Sequence, residues 1–268
     1  MTATPRTLLL AAGFGTRLQP LTSFLPKCLV PINGRPLLDY WIQSLLDQGV
    51  TDVLINTHYL APLVESYIEH SSWFGRVNLS HEHALLGTGG TVLANRSFFG
   101  NEPLLIAHAD NLTRFDCSAF FEAHRRRPHG AALTMMLFET EEPRSCGIVE
   151  IDGRGMVQAF HEKVEHPPGN LANAAVYVME PEVVSFIASL GMQEVDLSTQ
   201  VIPHFVGRIF TFLNSDYHRD IGTISSWQLA QKDFGMPSAR PENAAAWHQL
   251  LDALGPDVSR TLADLDPG

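Results

Sequence analysis

Short apolar runs typical of β-strands alternate with segments of helical periodicity through the first half of this sequence. The runs expected to form strands are Arg6–Ala12, Asp52–Asn56, Val77–His81, Pro103–His108 and Ala131–Phe138. The segments expected to form helices are Leu37–Gln48, Leu60–His70, Thr91–Arg96 and Ala119–Arg127. Strands that are separated by helices usually run parallel, with right-handed crossovers. The alternation therefore predicts an α/β fold with an open, doubly wound and mainly parallel sheet.

The second half is less regular and indicates a smaller, β-containing region. Strands are expected at Gly147–Ile151, Met156–Glu162, Ala174–Met179 and Ile209–Asn214, and helices at Pro181–Ser189 and Ser225–Phe234. Asp152 and Gly153 form a turn signal of the hairpin type. We expect one domain over residues 1–234, followed by a linker and a helical tail over 235–268, in which Met236–Pro241 is linker-like and Ala244–Leu254 is helical.

The composition is that of an ordinary soluble globular protein, with 45% apolar and 18% charged residues. A formal net charge of -11 argues against nucleic acid as a partner, because nucleic-acid binding needs a basic face. The apolar runs are too short to cross a bilayer, and the N-terminus does not resemble a signal peptide, so we expect a cytoplasmic protein without membrane contact. The three cysteines are far apart and are expected to be reduced, buried thiols.

The most informative segment is Leu10–Leu38, which reads LAAGFGTRLQPLTSFLPKCLVPINGRPLL. A strand ends and a Gly-x-Gly turn follows, at the sheet edge where open α/β folds bind ligands. Gly13 and Gly15 allow the backbone to approach phosphate oxygens, and Arg17 offers a planar fork for them. Lys27 adds a compact cation to the same loop. The segment predicts a phosphate-binding site.

Three alternative assignments for this segment fit less well. A dinucleotide-binding turn would have a third glycine where Leu18 stands and an acidic residue near Asn56, which argues against an NAD-dependent oxidoreductase. A Walker P-loop would contain Gly-Lys-Ser/Thr, which the segment lacks. A plain tight turn with basic surface residues would explain Gly13-Phe-Gly15 alone but not the whole segment.

Six motifs follow one another between residues 7 and 234. They are Gly13-Phe-Gly15-Thr-Arg17 with Pro26-Lys27, Gly87-Thr88-Gly89-Gly90, His108-Ala-Asp110, Glu162-Lys163, Asn170-Leu-Ala-Asn173-Ala and Asp220-Ile-Gly222-Thr. Together they resemble the signature of sugar-1-phosphate nucleotidyltransferases, enzymes that join a nucleoside triphosphate to a sugar 1-phosphate and release pyrophosphate. The resemblance implies a Rossmann-like nucleotidyltransferase fold with a nucleotide-binding half near 1–138 and a sugar-binding half near 139–234.

The resemblance also implies roles for individual residues. The catalytic residues would be Arg17, Lys27, Asp110, Lys163 and Asp220, of which Asp110 and Asp220 would bind Mg²⁺. The nucleotide would contact Ala11, Ala12, Gly13, Gly15, Thr16, Arg17, Lys27, Gly87, Thr88 and Gly89, with the glycine-rich Gly87–Gly90 loop near the base and ribose. The sugar phosphate would contact Gly147, Glu162, Lys163 and Asn173. The less favoured alternatives are that Asp110 is a turn or N-cap residue and that Glu162-Lys163 is an exposed ion pair.

The nucleobase and the sugar are less well defined by sequence. Leu85-Leu86 followed by Gly87-Thr-Gly-Gly resembles mannose- and heptose-1-phosphate guanylyltransferases, which favours GTP. Two alternatives remain: uridylyl or thymidylyl transfer to N-acetylmuramate 1-phosphate or glucose 1-phosphate, and a catalytically silent regulatory homologue. A homo-oligomer also stays open.

His108 stands where many relatives of this family have Asn. His81-Glu82-His83 has metal-like residue types, but alternation along a strand would split them across two faces.

Overall fold

The computed structural model describes residues 4–235 and 241–266. The strands are β1 (Arg6–Leu10), β2 (Pro31–Ile32), β3 (Arg35–Pro36), β4 (Val53–Thr57), β5 (Asn78–His81), β6 (Leu104–His108), β7 (Asn111–Arg114), β8 (Leu133–Glu139), β9 (Gly147–Ile151), β10 (Val157–Glu162), β11 (Leu171–Met179), β12 (Ile209–Leu213) and β13 (Tyr217–Asp220). The helices are α1 (Leu37–Asp47), α2 (Ala61–His70), α3 (Gly87–Ala94), α4 (Arg96–Phe99), α5 (Cys117–Arg125), α6 (Pro181–Ser189), α7 (Ile224–Asp233), α8 (Pro241–Leu254) and α9 (Pro256–Leu265).

The chain forms two compact units, each assembled from three chain segments. The first unit contains Met1–Leu8, Leu85–Ala107 and Phe115–Asp216. The second contains Leu9–Ala84, His108–Arg114 and Tyr217–Gly268, so it includes the C-terminal helices α8 and α9. The functional halves that the sequence suggests, near 1–138 and 139–234, stay a prediction.

Strand β11 organises the sheet of the first unit. It pairs antiparallel with β6, β8 and β9, while β10 pairs antiparallel with β9. Strand β12 runs parallel to β8, with Ile209 opposite Leu133. Most apolar residues of β8 and β11 are buried, as expected where both faces of a strand are covered; Phe138, Leu171 and Ala175 are half-buried.

The second unit contains a parallel pair, β4 and β5, and an antiparallel pair, β7 and β13. Leu54 lies opposite Asn78 in the first pair, and Asn111 lies opposite Asp220 in the second. Helix α1 is attached to β7 because Trp41 Nε1 donates a hydrogen bond of 2.7 Å to the carbonyl oxygen of Asn111. This attachment fixes the start of β7, where the acidic residues of the predicted metal site are found.

A buried carboxylate anchors the C-terminal tail in the second unit. Asp39 is fully buried on α1, and Arg35 Nε donates to its Oδ2. Its Oδ1 accepts hydrogen bonds from Tyr67 Oη at 2.9 Å, from Asn243 Nδ2 at 2.7 Å and from Trp73 Nε1. Because a buried carboxylate needs such partners, Asn243 makes α8 part of the core of this unit.

The α/β fold with a mainly parallel central sheet is confirmed, and the sheet is mixed because β11 runs antiparallel to its partners. The helix predicted at Thr91–Arg96 was placed too late, since α3 already starts at Gly87. Strands β7 and β13 were missed, being short and polar and paired only through a distant part of the chain.

The tail is helical, as predicted, and α8 contains the expected Ala244–Leu254. The predicted linker falls mainly on residues 236–240, which lie outside the described residues. The turn predicted at Asp152-Gly153 is present, but Gly155 is the residue with positive φ. Within the described residues, each helix falls short of the length and apolarity that a membrane crossing requires. All three cysteines are free; Cys28 and Cys117 are buried, whereas Cys146 is half-buried, which corrects the expectation for that residue.

Candidate active site

Two acidic side chains of the second unit converge on one lysine. Lys27 Nζ donates to Asp110 Oδ2 at 2.8 Å and to Asp220 Oδ1 at 3.2 Å. Arg17 Nη2 lies 3.8 Å from the other oxygen of Asp220. The side chain of Lys27 is only 8% exposed, whereas that of Arg17 is 67% exposed. The four residues on which the phosphate-transfer prediction depends are thus clustered, with Arg17 at the solvent side.

The strand pair β7–β13 explains why the two acidic residues meet. Asp110 immediately precedes β7, and Asp220 ends β13 opposite Asn111, the first residue of β7. The Ile221 amide also donates to the Asp110 carbonyl oxygen at 3.3 Å. This register places Asp220 opposite the residue that follows Asp110, and from these positions both carboxylates reach Lys27 Nζ.

Lys27 is held at this point by a short 3₁₀ turn, Lys27–Leu29, that follows Pro26. Burial alone would lower the pKa of the Lys27 ammonium, but the charges of Asp110 and Asp220 outweigh it and the pKa is raised above 10.5. Burial also disfavours the charged form of Asp110, yet Lys27 and His108 together lower the pKa of Asp110 to about 2. At neutral pH the site therefore contains a charged ammonium beside a charged carboxylate.

The glycine-rich turn packs directly against this lysine. Gly15 has φ +63°, and a Cβ there would lie 2.9 Å from Thr22 Cγ2 and 3.0 Å from Lys27 Cβ. A side chain would therefore be strained and would displace the lysine stem. Arg17 follows in the 3₁₀ turn Thr16–Leu18. Gly13 has open space around its Cβ position.

The turn is joined to the neighbouring strand by an amide. Asn56, at the carboxyl end of β4, accepts a 2.7 Å hydrogen bond from the Ala11 amide and donates one of 2.9 Å to Glu82 Oε1. Ala11 and Ala12 are buried, so they contribute backbone groups to the turn rather than exposed side-chain surface. In the sequence, Asn56 argues only against a dinucleotide site. In the structure its hydrogen bond with Ala11 holds the start of the phosphate-binding turn.

The predicted sugar-side residues cluster in the first unit. Gly147 and Glu162 are register partners of the β9–β10 hairpin, and a Cβ on Gly147 would lie 2.7 Å from Glu162 Oε2 and from the Phe160 ring. Lys163 has φ +51°, and its Nζ lies 3.3 Å from Glu162 Oε1. A side chain at position 147 would therefore displace the Glu162 carboxylate or the Phe160 ring from their present positions.

Asn173 belongs to the same unit and contacts a residue that sequence reasoning missed. Its Nδ2 donates to Tyr177 Oη at 2.7 Å, and Tyr177 is fully buried. Burial, followed by the nearby charges of Glu162 and Asp196, raises the pKa of the tyrosine hydroxyl. No motif marks Tyr177, because a tyrosine in an apolar strand looks like an ordinary core residue.

The Gly87–Gly90 segment differs from the expected loop. It forms the first turn of α3, and the Gly89 and Gly90 amides donate to the Val195 carbonyl oxygen at 2.7 and 3.2 Å. A Cβ on Gly87 would lie 2.5 Å from that oxygen, and a Cβ on Gly89 2.8 Å from Val195 Cγ1. Thr88 Oγ1 accepts from the Leu197 amide at 2.7 Å. In the structure the missing side chains make room for Val195, and a nucleotide contact there stays a prediction.

The acidic pair is suited to a divalent cation, although the described residues contain no group of three or more His, Cys, Asp or Glu side chains that could hold a metal ion. Protein-bound Mg²⁺ commonly uses one or two carboxylates and takes its other oxygens from phosphates and water. Asp110 and Asp220 already share one positively charged group, Lys27 Nζ. The donor set therefore fits Mg²⁺.

At His81-Glu82-His83 the two histidines are exposed, with ring centroids 5.1 Å apart, and Glu82 is buried, so the three are split as expected.

An α/β fold in which a glycine-rich turn, two cations and two carboxylates converge is typical of proteins that bind phosphate esters. The chain belongs to the nucleotidyl transferase family, whose model matches residues 6–235. The resemblance that the sequence motifs indicate is thereby confirmed.

Two curated relatives are each 30% identical to this chain. Mannose-1-phosphate guanylyltransferase of Mycobacterium tuberculosis aligns over 231 residues, 84% of this chain and 63% of that protein. UTP–glucose-1-phosphate uridylyltransferase of Synechocystis aligns over 241 residues, 83% of this chain and 62% of that protein. The chain thus spans about three fifths of the length of these relatives.

Solved structures share the fold. HddC from Yersinia pseudotuberculosis superposes with a TM-score of 0.74 at 24% identity, covering 86% of this chain and 100% of that one. A putative glucose-1-phosphate thymidylyltransferase from Bacillus anthracis gives a TM-score of 0.76 at 22% identity, covering 87% of this chain and 97% of that one. These similarities establish the fold class.

Proposed function

We propose that this protein is a sugar-1-phosphate nucleotidyltransferase. It would transfer a nucleotidyl group from a nucleoside triphosphate to a sugar 1-phosphate and release pyrophosphate. The observation that carries the proposal is the position of Lys27 Nζ, 2.8 Å from Asp110 and 3.2 Å from Asp220, behind a glycine-rich turn. Phosphoryl transfer needs mainly positioning and charge neutralisation, and this cluster supplies fixed charges of both signs.

In this proposal the cations of the second unit bind the triphosphate. Arg17, whose guanidinium is mostly exposed, would bind the triphosphate through paired hydrogen bonds. Lys27 is buried and charged, so it would donate to an α-phosphate oxygen as negative charge develops there. A phosphate monoester is nucleophilic at neutral pH, so the reaction needs no strong general base.

Asp110 and Asp220 would hold Mg²⁺. When bound, the ion would supply Lewis-acid neutralisation of the phosphate charge. The two side chains are 37% and 50% exposed, so both can be reached from solvent. Lys27 would then exchange its contacts with the carboxylates for contacts with phosphate oxygens.

The sugar 1-phosphate would bind to the first unit. Lys163 would pair with the phosphate, and Glu162 and Asn173 would hydrogen-bond sugar hydroxyls. Lys163 Nζ lies 3.3 Å from Glu162 Oε1, so the two side chains are close enough to contact the same ligand. Gly147 would present its backbone to the sugar.

For the nucleotide we favour GTP, with a mannose- or heptose-type sugar. The sequence Leu86-Gly87-Thr88-Gly89-Gly90 supports this choice, as do the names of several relatives that are mannose-1-phosphate guanylyltransferases. Uridylyl transfer to glucose 1-phosphate is the second candidate, since a relative of equal identity is named for it. A silent homologue is disfavoured because all five charged residues of the predicted catalytic set are retained. The cytoplasmic location and a homo-oligomer stay predictions.

The test is pyrophosphate release from GTP, UTP, dTTP and ATP, each with mannose 1-phosphate, glucose 1-phosphate and heptose 1-phosphate, with and without Mg²⁺. We expect the highest rate with GTP and Mg²⁺. Lys27→Met should reduce that rate about 100-fold, as the loss of one charge-stabilising donor does. Lys232→Met, which removes an exposed lysine of α7, is the matched control and should leave the rate unchanged. Absence of pyrophosphate release with all pairs would contradict the proposed function.

A further inference from the structure

An irregularity in β11 brings Asn173 and Tyr177 into contact. Residues four apart in a regular strand are separated by about 13 Å, too far for a direct hydrogen bond. In β11 the register with β8 shifts between Asn173, opposite Leu137, and Tyr177, opposite Met135. Ala175 lies inside this bulge with φ +54°. The bulge therefore allows the Asn173 Nδ2 to Tyr177 Oη hydrogen bond of 2.7 Å.

The same contacts determine the orientation of the Asn173 amide. Asn173 Oδ1 accepts a 3.0 Å hydrogen bond from the Ala175 backbone N–H, so a flipped amide would place two donors against each other. Nδ2 donates one of its two hydrogens to Tyr177 Oη. The other hydrogen of Nδ2 is the donor that the half-exposed Asn173 can present to a ligand.

Tyr177 is in turn held rigidly. Its ring is completely buried in the strand that pairs with three others, and its hydroxyl also interacts with Ser198. A left-handed alanine is an unfavourable conformation, costing about 1 kcal/mol or more. Such strain persists where surrounding contacts impose it, and it commonly occurs at functional sites.

We propose that Tyr177 is a positioning residue for sugar 1-phosphate recognition: it fixes Asn173 so that the amide donates to a hydroxyl oxygen of the sugar. This inference rests on the proposed function for the chemical class of the ligand. In this inference the bulge of β11 makes the site specific for a sugar oxygen that accepts a hydrogen bond. The buried Tyr177 acts by orienting Asn173 and does not contact the substrate itself.

The test compares Tyr177→Phe with Tyr67→Phe. Both changes remove a buried hydroxyl that makes a hydrogen bond, but Tyr67 donates to Asp39 in the core of the second unit. KM for sugar 1-phosphate, KM for the triphosphate, and the melting temperature are measured for each variant. Binding of mannose 1-phosphate and glucose 1-phosphate is also measured by calorimetry without triphosphate, so that one readout does not require turnover.

We expect Tyr177→Phe to weaken sugar 1-phosphate binding and raise its KM about fivefold, with the triphosphate KM unchanged. Tyr67→Phe should lower the melting temperature without changing either KM. In an Asn173→Ala background, Tyr177→Phe should have less than a twofold effect, because the positioned amide is already gone. Equal changes in both KM values, no change in either, or additive effects of the two substitutions would overturn the inference.

Failure of the proposed function gives a different result. If the wild-type protein binds sugar 1-phosphate but releases no pyrophosphate with any triphosphate, the proposed activity is wrong. The calorimetric comparison of Tyr177→Phe with wild type still decides the positioning role in that case. If the wild-type protein binds neither sugar 1-phosphate, the inference is wrong as well.

Discussion

Asp110 and Asp220 bind the same ammonium group, Lys27 Nζ, although one precedes β7 and the other ends β13. Their convergence depends on the antiparallel register of these two short strands rather than on sequence proximity. Lys27 contributes one positive charge against two negative ones, and Arg17, 3.8 Å from Asp220, contributes a second. A divalent cation would satisfy the same pair with twice the charge.

Asp110→Asn should reduce the rate of pyrophosphate release at least about 100-fold while leaving the melting temperature within a few degrees of wild type. The amide keeps the shape of the side chain but loses the charge that a Mg²⁺ site needs. A steady-state assay over a range of Mg²⁺ concentrations measures the effect.

Asp257→Asn on α9 is the matched control, since Asp257 is an exposed carboxylate paired with Arg260. It should behave as wild type. If Asp110→Asn kept wild-type turnover and Mg²⁺ dependence, Asp110 could not be a metal ligand in the reaction.

Gly87→Ala should destabilise the protein more than Gly100→Ala. Both glycines have positive φ, +70° and +63°, so both substitutions carry a similar conformational cost of about 1 kcal/mol. Only at Gly87 would the new Cβ clash with backbone, 2.5 Å from the Val195 carbonyl oxygen, which adds about 1–3 kcal/mol.

Urea unfolding of the two variants gives the difference directly. Gly100 is a suitable control because, among the described residues other than its chain neighbours, no atom lies within 4 Å of its Cβ position. Equal losses of stability would show that the close approach of Val195 does not explain the glycine at position 87.

Sequence reasoning located the individual acidic and basic residues better than it explained their environment. Asp110 could be placed because it follows an apolar strand, and ligands in α/β folds collect at such strand ends. Asp220 was identified from a motif only, since β13 is short and polar and forms by pairing with β7. Long-range pairing of that kind leaves no periodic pattern in a single sequence.

At the glycines of α3, the sequence suggested the wrong local structure. Gly87-Thr-Gly-Gly has low helix propensity, which favoured a loop, but the Val195 carbonyl oxygen accepts from the Gly89 and Gly90 amides and stabilises the first turn. Likewise, Asn173 was identified but Tyr177 was not, because only the bulge in β11 reveals that they touch. Local sequence indicates which residue types are present, whereas tertiary contacts decide what they bind.

Asn243→Ala should lower the free energy of unfolding by about 1–3 kcal/mol, because it removes a donor from the buried carboxylate of Asp39. It also removes the acceptor for the Ser72 amide, which donates to Asn243 Oδ1 at 2.9 Å. Gln249→Ala, an exposed position of α8, is the control and should change stability by less than about 0.5 kcal/mol. Similar stability of the two variants in urea unfolding would argue against α8 as part of the core of the second unit.

His124→Gln should reduce the loss of stability between pH 7 and pH 5. His124 is buried in the first unit, accepts at Nδ1 from Thr134 Oγ1 at 2.8 Å, and donates from Nε2 to Glu180 Oε1 at 3.0 Å, which is the pattern of a neutral ring. Burial, followed by the charges of Arg127 and Arg125, lowers its pKa from 6.5 to about 3.

The sign of the effect follows from proton uptake. Below pH 6.5 the unfolded chain binds a proton at this histidine and the folded protein does not. The free energy of unfolding therefore decreases as the pH is lowered, by up to about 1.4 kcal/mol per pH unit, until the folded pKa is reached. Glutamine can retain hydrogen bonds to Thr134 and Glu180 but takes up no proton, so the variant should lose stability less steeply. Urea unfolding at pH 7, 6 and 5 measures the two slopes. Parallel slopes would mean that His124 is already charged in the folded protein, in an ion pair with Glu180.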